Sequence, residues 1–448
     1  MSDFNTLTAP KIVVDPPGPK VRELLKRAGL PPTQYFQPIL EEAGGIFIKD
    51  PDGNIFIDFI SGRCVTNVGY SHPKVVEALQ RQVAKGLHGI TEARLRLSTM
   101  LSEMTPGDFP KRVYYGQSGS AMNDLGIKAA RWATKRPYIV AFTGAYHGVT
   151  YGALSVSSYR TYMVKGFYPK LPGIYHFPYP YCYRCPFRLE YPDCGLACLW
   201  YMEDYAFKSY LPPEEVAAVL FEPVAGDAGW HVPPDDWLPT LKEICDRHGI
   251  LLIAEEVQTG FGRTGKWFAV ENWGVVPDIM LLGKAISCGV PNAAAVLRED
   301  LCLRKETGEI LRTGHTFSGS PLGCVSAVAN IEVIEEENLV ENSAKMGAYI
   351  KKRLTEMMDD HRIMGDVRGV GLLIGVEVVK DKETKKPGVV EAQKVTAKAF
   401  QRGLYLVNMG AFGTRALRVA PPLIINREQA DASLEILESA ISEVERGL

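Results

Sequence analysis

The chain has 448 residues, which is too long for one compact core and indicates two or three structural units. Hydrophobic residues make up 46% and charged residues 23%, which is ordinary for a globular protein. The formal net charge of −2 gives no electrostatic reason to expect nucleic acid or a membrane surface as a partner, and no apolar run approaches the roughly 18 residues that span a bilayer. Because the first residues lack the basic start and apolar stretch of a signal peptide, we expect a cytoplasmic protein.

The N-terminal segment, residues 1–75, contains one irregular stretch and one predicted hairpin. Residues 16–19 read Pro-Pro-Gly-Pro and are expected to be irregular, because Pro and Gly interrupt both helices and strands. Residues 45–58 contain two short apolar runs on either side of the turn Pro-Asp-Gly-Asn, which predicts a β-hairpin.

From residue 76 to residue 325, short apolar strands alternate with helices. The predicted strands cover residues 112–116, 138–142, 217–221, 250–254 and 279–282. The predicted helices cover residues 121–135 and a stretch that Asp235 or Asp236 is expected to cap and that ends at His248, before Gly249. This alternation predicts an α/β domain with a mostly parallel sheet. Residues 326–448 then contain two predicted helices, a β segment at 371–379 and two further helices, which indicate a smaller α+β unit.

Reactive side chains follow the predicted strands, at the edge where open α/β sheets bind ligands. Ser118, Gly119 and Ser120 lie between a strand and a helix, where N–H groups, hydroxyls and the helix dipole can bind phosphate, although a plain tight turn is the alternative. Glu255 ends a buried strand and therefore needs a positive partner, which a protonated pyridine nitrogen or a structural salt bridge would supply.

Two further candidates follow neighbouring strands. Lys284 comes directly after a strand and the small residue Gly283. A lysine near a buried sheet loses its proton more readily and can become a nucleophile, whereas most lysines are solvated surface charges. Tyr146 follows the strand at 138–142, and its ring could stack on an aromatic ligand or pack in the core. Each group alone has an ordinary structural interpretation. The case for a functional site therefore depends on their joint occurrence.

The order of these pieces closely resembles class III aminotransferases of the ornithine and GABA type, which have PLP fold type I. The likeness runs from Asp52 to the last helix. The matching stretches are residues 118–120, 144–148, 222–227, 254–265, Lys284, 314–321 and 417–423. The resemblance implies a large PLP-binding domain, a smaller domain made from both chain ends, and a homodimer or a dimer of dimers.

The resemblance also implies roles for individual residues. The PLP-binding positions are Ser118, Gly119, Ser120, Tyr146, His147, Glu222, Glu255, Gln258, Lys284 and Thr316. Among these, Lys284 would bond covalently to PLP, Glu255 would pair with the pyridine nitrogen, and Thr316 would reach the phosphate across a dimer interface. Arg418 would bind the substrate carboxylate. Arg63 occupies a position that faces the substrate in relatives. It could bind a second anionic group on the substrate, or it could make a structural salt bridge.

Three positions depart from the family pattern. Glu255 stands where the family has aspartate, Ala121 replaces an acidic residue, and Ala225 replaces a glutamine. The longer side chain of Glu255 could still make the ion pair with the ring nitrogen if the backbone or the ring shifts.

The predicted reaction is transfer of an amino group from an amino acid or amine to a 2-oxo acid, with no role for nucleic acid or membrane. The alternative is an amino-acid racemase or epimerase, which benefits from a second acid/base group on the opposite face of the substrate. Asp227 is the candidate for that group, since residues 226–229 and 12–19 resemble class III racemases. Against this, class III racemases tend to carry an acidic residue where this chain has Ala121, and residues 316–319 look more like the aminotransferase form. A third alternative is a catalytically inactive homologue that binds a ligand or partner without turnover. Lys284 argues against it, because such a protein would have no need to keep this residue.

Four of the nine cysteines lie in one short stretch: Cys182, Cys185, Cys194 and Cys198. Two closely spaced pairs have the ligand spacing of a structural zinc site. Two disulfides and four free thiols are the competing interpretations, and the spacing alone leaves all three open.

Overall fold

The computed structural model describes residues 4–31, 36–304 and 307–447. The chain divides into two structural units. The large unit comprises Glu77–Phe261 and Lys266–Glu332, and the terminal unit comprises Met1–Val76, Gly262–Gly265 and Val333–Leu448. The terminal unit is therefore built from both chain ends and one short piece from the middle of the sequence.

Strands of the described chain are numbered β1 to β16. They are Glu42–Gly44, Phe47–Lys49, Ile55–Asp58, Lys111–Gly116, Tyr138–Phe142, Ile174–Phe177, Val216–Phe221, Leu251–Glu255, Ile279–Leu282, Ala293–Arg298, Met364–Val370, Leu373–Asp381, Lys386–Pro387, Leu404–Tyr405, Val407–Met409 and Ala416–Val419.

The longer helices of the described chain are numbered α1 to α9. They are Pro19–Arg27, Pro73–Lys85, Glu92–Met104, Gly119–Thr134, Trp237–His248, Pro321–Glu336, Leu339–Asp360, Val389–Gln401 and Arg427–Arg446. Shorter helical segments lie at Tyr151–Val156, Thr161–Val164, Ala197–Trp200, Phe207–Ser209 and Gly226–Gly229. None of the helices in the described residues is long and apolar enough to cross a membrane.

A seven-stranded sheet forms the centre of the large unit, in the order β4-β10-β9-β8-β7-β5-β6. Strands β9, β8, β7, β5 and β6 pair in parallel, whereas β10 is antiparallel to both of its neighbours. The prediction of a mostly parallel sheet is therefore confirmed, and β10 is the exception. The parallel arrangement brings the carboxyl ends of β7, β8 and β9 to one edge, where Glu222, Glu255 and Lys284 follow or end their strands.

Helix α4 packs across this sheet. This close packing explains why the helix contains so many small residues. Gly126 lies so close to the sheet that a Cβ atom there would approach the Leu281 methyl carbons to 3.3 Å. Met122, Leu125 and Ala129 are buried on the same face. Burying a side chain such as Leu125 contributes about 1.5–3 kcal/mol, so this face anchors the helix and fixes the position of its first turn.

The terminal unit contains two smaller sheets. One has the order β1-β2-β3-β14, in which β14 pairs parallel to β3. The other has the order β11-β12-β16-β15 with antiparallel pairing throughout, and β13 also pairs with β12. The predicted hairpin at residues 45–58 is present as β2 and β3, with Phe47 opposite Ile57.

Two predictions from the sequence need correction. Pro19 is the first residue of α1, because proline suits the first helical position, where its missing N–H has no partner to lose. Asp236 precedes α5 as predicted, but its side chain accepts no capping hydrogen bond.

Candidate active site

The first turn of α4 carries the predicted phosphate-binding residues. Ser118 precedes the helix in an extended conformation, and its side chain accepts a hydrogen bond from the N–H of Ala121 at 3.3 Å. The hydroxyl of Ser120 accepts from the N–H of Val149 at 3.2 Å. Because the first N–H groups of a helix have no acceptor within the helix, and the dipole favours negative charge there, this turn can bind a phosphate.

Glycines allow three backbone segments to meet beside this turn. A Cβ atom at Gly119 would lie 3.0 Å from both methyl carbons of Val257, and one at Gly283 would lie 3.1 Å from Val257 Cγ1. A Cβ atom at Gly148 would overlap the Ser120 hydroxyl, and the φ of Gly148 is +126°. The phosphate turn thus lies against the residues that follow β8 and β9.

Glu255, at the end of β8, is nearly fully buried and has both carboxylate oxygens engaged. Oε2 lies 3.0 Å from Nδ1 of His147, and Oε1 accepts from the N–H of Val257 at 2.9 Å. His147 is itself fixed, since its N–H donates to Ser157 Oγ at 2.9 Å and its carbonyl accepts from Asn123 Nδ2 at 2.9 Å.

Three carboxyl groups and one amine are grouped around these strand ends. Burial raises the pKa of Glu222 well above its usual range, and the nearby Glu255 and Asp227 carboxylates raise it further, whereas Lys284 lowers it. Glu222 Oε1 accepts from the N–H of Gly226 at 3.1 Å, while the buried Oε2 has no hydrogen-bond partner among the described residues. Burial and the neighbouring carboxylates therefore favour the neutral carboxylic acid form of Glu222.

The orientation of Asp227 is set by two further side chains. Trp230 Nε1, which can only donate, donates to Gln258 Oε1 at 3.2 Å. This fixes the Gln258 amide so that its Nε2 donates to Asp227 Oδ1 at 2.9 Å. Asp227 is thus held as a hydrogen-bond acceptor inside the same group of residues.

Lys284 has an unusual backbone conformation for a lysine. Its φ is +43°, in the left-handed region that residues other than glycine rarely occupy. Such strain persists only where the surrounding structure imposes it, and it is concentrated at functional sites. The side chain is half-buried, and the residue follows β9 directly after Gly283.

This set of groups fits PLP. The first turn of α4 would hold the phosphate, the anionic Glu255 would pair with a protonated ring nitrogen, and Lys284 would supply the amine for a covalent bond. The buried Nε2 of His147 and Oε2 of Glu222 have no hydrogen-bond partner among the described residues, which leaves polar atoms for a bound ligand. The Tyr146 ring is half-buried and packs edge-on against Tyr159, with centroids 6.2 Å apart.

Thr316 is exposed in the single chain, and its carbonyl is 3.1 Å from Nε2 of His88. The role predicted for Thr316 requires a second chain, so a single chain leaves it a prediction.

The two predicted substrate arginines both lie in the terminal unit. Arg418 is buried in β16, and its NH1 group lies 3.0 Å from the Met409 sulfur. Arg63 is exposed and lies in the turn Ser61–Cys64, with a φ of +69°. Their contact with substrate stays a prediction.

The cysteine stretch gives no support to the zinc hypothesis. All four cysteines line one small cavity of about 20 Å³ together with apolar and aromatic side chains. Across the described ranges, however, no three His, Cys, Asp or Glu side chains are arranged to hold a metal ion. Burial raises the pKa of the Cys182 and Cys198 thiols to about 11.

Several supporting residues were not anticipated from the sequence. Asn123, Ser157 and Trp230 orient His147 and Gln258, and Tyr179 donates to the carbonyl of Glu222 at 3.1 Å. Asn123 had a detectable signal, because it is a polar residue on the otherwise apolar buried face of α4. The contacts of the others depend on chain segments that are distant in sequence.

Comparisons with known proteins agree on one family. The model of the class-III aminotransferase family matches residues 31–441. An alanine/serine racemase of Pyrococcus horikoshii is 40% identical over 98% of this chain and 94% of its own length, and a probable 4-aminobutyrate aminotransferase of Bacillus subtilis is 35% identical over 89% and 91%. A solved aminotransferase structure from Bacillus anthracis has a TM-score of 0.87 at 30% identity and covers 95% of this chain and 99% of its own chain.

Proposed function

Because the chain belongs to the class-III aminotransferase family, we propose that it uses PLP to transfer an amino group from an amino acid or amine to a 2-oxo acid. The observation that carries this proposal is the grouping of Lys284, Glu255 and Glu222 at neighbouring strand ends, beside the first turn of α4. No simpler ligand requires a phosphate-binding turn, a buried carboxylate for a cationic ring and an amine nucleophile together.

When bound, PLP supplies an electron sink for the bonds at the substrate Cα. Lys284 would hold the cofactor covalently and, once the substrate amine displaces it, would remove the proton at Cα with Nζ. Glu255 would keep the ring nitrogen protonated, and the His147 contact at 3.0 Å would keep Glu255 in place. Glu222, favoured in its neutral form, would donate a hydrogen bond in this region.

The substrate carboxylate would bind to Arg418. Arg63 would bind a second anionic group, so that a dicarboxylic amino acid or 2-oxo acid would serve in one half-reaction. In support, Arg63 is exposed while its neighbours Ser61 and Cys64 are buried, which leaves its guanidinium as the accessible polar group of this turn.

Racemisation is the second candidate, and Asp227 favours it. Both reactions begin with loss of the Cα proton, but racemisation returns a proton to Cα from the opposite face. Asp227 is grouped with Glu222 near Lys284 and is held as an acceptor by Gln258. The racemase relative is also the more similar of the two relatives compared, at 40% against 35% identity. Transamination needs no second acid/base group, because Lys284 alone can move the proton that leaves the substrate Cα.

The two candidates are separated by incubating the PLP-loaded protein with single L-amino acids and no 2-oxo acid, followed by chiral chromatography. An aminotransferase converts at most one equivalent per site until a 2-oxo acid is added, and then turns over. Catalytic accumulation of the D-amino acid, abolished in Asp227→Asn, would establish racemisation instead. Lys284→Ala should be inactive in both assays and serves as the control for background chemistry.

A homodimer, or a dimer of dimers, completes the proposal. The exposed position of Thr316 supports it, because a threonine that is exposed in one chain is available to a phosphate bound in another.

A further inference from the structure

The turn Ser61–Cys64 in the terminal unit has a left-handed backbone at four consecutive positions. The φ angles of Ser61, Gly62, Arg63 and Cys64 are +48°, +57°, +69° and +62°. Only the second of these is a glycine, so three side-chain-bearing residues adopt a conformation that costs free energy at each position. Such a segment persists only if its surroundings fix it.

Asp58 holds this turn from the preceding strand. Its Oδ2 accepts from the N–H of Gly62 at 2.6 Å and from the Tyr70 hydroxyl at 2.7 Å, and its Oδ1 accepts from the N–H of Ile60 at 2.9 Å. Asp58 is fully buried. Burial raises the pKa of its carboxyl, whereas the hydrogen bonds from Tyr70, Ile60 and Gly62 lower it, and the charge of Arg263 lowers it further. A nearby cation therefore favours the ionised form of this buried carboxylate.

That cation is Arg263, whose side chain is completely buried in the same unit. Its NH2 group donates to the Ser61 hydroxyl at 2.8 Å and to Asn67 Oδ1 at 2.5 Å. Its NH1 group donates to the carbonyls of Pro421 at 2.5 Å and Leu372 at 3.1 Å. One planar guanidinium thus binds the left-handed turn on one side and the chain after β16 on the other.

A second set of bonds joins the same two segments. The Ser61 hydroxyl also donates to the carbonyl of Ala420, and the N–H of Ala420 donates to the carbonyl of Phe59 at 2.9 Å. Ala420 is only two residues after Arg418. The turn that carries Arg63 and the strand that carries Arg418 are therefore fixed to each other through Ser61 and Arg263.

We propose that Arg263 is a positioning residue that sets the relative placement of Arg63 and Arg418, so that the two arginines form one binding site for dicarboxylates. The inference rests on the proposed function, in which these arginines bind substrate anions. Arg263 itself is fully buried and has four protein acceptors, so it acts through Ser61 and Pro421 and touches no substrate. Lysine cannot replace it, because an ammonium group has no planar fork with which to bind acceptors on two sides.

The test is the dissociation constant of glutarate, a dicarboxylate without an amino group, measured by titration calorimetry on the PLP-loaded protein. Arg263→Lys should weaken glutarate binding by about tenfold or more, because small misplacements of a binding group cost factors of this size. Butyrate, which has one carboxylate, should lose less than glutarate. Ser61→Ala removes only the hydroxyl that links the two segments and should also weaken glutarate binding. If Arg263→Lys does not fold, the glutarate affinity of Ser61→Ala provides the test.

Arg402→Lys is the matched control. Arg402 lies in the same unit and donates to a carboxylate oxygen of Glu443 and to the carbonyl of Lys398. Within the part of the chain that the structure describes, these hydrogen bonds reach neither the turn nor β16. Its variant should bind glutarate like the wild type. A folded Arg263→Lys or Ser61→Ala protein with unchanged affinity for glutarate, or with equal losses for glutarate and butyrate, would overturn the inference. Failure of the wild type to bind PLP or to transfer amino groups would count against the proposed function instead.

Discussion

Glu255 stands where the resemblance to class III aminotransferases implies an aspartate, and its contacts show how the longer side chain is held. Because one oxygen binds the N–H of Val257 and the other faces His147, the carboxylate stays near the strand end. Glu255→Gln removes the charge and should lower the rate of amino transfer by about 100-fold or more, while bound PLP is retained. Glu255→Asp keeps the charge and should retain more activity. A Gln variant as active as the wild type would show that Glu255 does not act on the ring nitrogen.

Glu256, the next residue, has a structural role with a measurable pH dependence. Burial raises its pKa to about 7 from a usual value of 4.5. Between these values the folded protein keeps the proton that the unfolded chain releases, so the free energy of unfolding should fall as pH rises through this window, by roughly 3 kcal/mol from this group. Glu256→Gln should flatten that slope. Denaturant unfolding at pH 5, 6, 7 and 8 measures it, and identical slopes in both proteins would contradict the assignment.

Arg63 can be tested through substrate selectivity. Arg63→Ala should raise KM for dicarboxylic substrates by about tenfold, and should raise it less for monocarboxylic ones, since only the former have a second anion to lose. Steady-state kinetics with both classes provide the measurement. Arg427→Ala, which removes an exposed arginine of the same unit, is the control and should change neither. Equal effects on the two substrate classes would argue against the contact.

At the scale of elements, the N-terminal ends of two long helices have different expected roles: that of α4 in cofactor binding and that of α9 in stability. Ser120→Ala removes a hydroxyl from the first turn of α4 and should weaken PLP affinity by about tenfold. Asn426 caps α9 by accepting from the N–H of Gln429 at 2.9 Å, so Asn426→Ala should lower the free energy of unfolding by about 1 kcal/mol and leave PLP affinity unchanged. Cofactor titration and denaturant unfolding of both variants would check this, and the reverse pattern would contradict it.

The sequence predicted four of the five parallel strands of the large sheet, β5, β7, β8 and β9, because each is a short apolar run bounded by a turn signal. It did not predict the fifth, β6. It also did not predict β10, whose first three residues, Ala293, Ala294 and Ala295, are small and carry little strand preference. Ala293 and Ala295 are buried in the same core cluster as Met122 and Leu125 of α4, so tertiary packing rather than strand propensity places this segment in the sheet. The left-handed turn Ser61–Cys64 was also beyond sequence reasoning, because its stability comes from Arg263, about 200 positions away.

For the whole molecule, the proposed dimer can be tested through Thr316. One chain has a mass of 49.5 kDa, so light scattering should give about twice this value, or four times it for a dimer of dimers. If Thr316 serves the phosphate of the partner, Thr316→Ala should weaken PLP affinity without changing the fold. A monomeric mass together with full PLP affinity in Thr316→Ala would contradict the proposal.

The most direct test of the central claim is the identity of the lysine that bonds to PLP. The protein should be loaded with PLP, reduced with borohydride so that the cofactor is fixed to its amine, digested, and mapped by mass spectrometry. We expect visible absorbance before reduction and a single modified peptide that contains Lys284, with Lys284→Ala as the unlabelled control. Specific labelling of another lysine, or a colourless protein that takes up no PLP, would contradict the account.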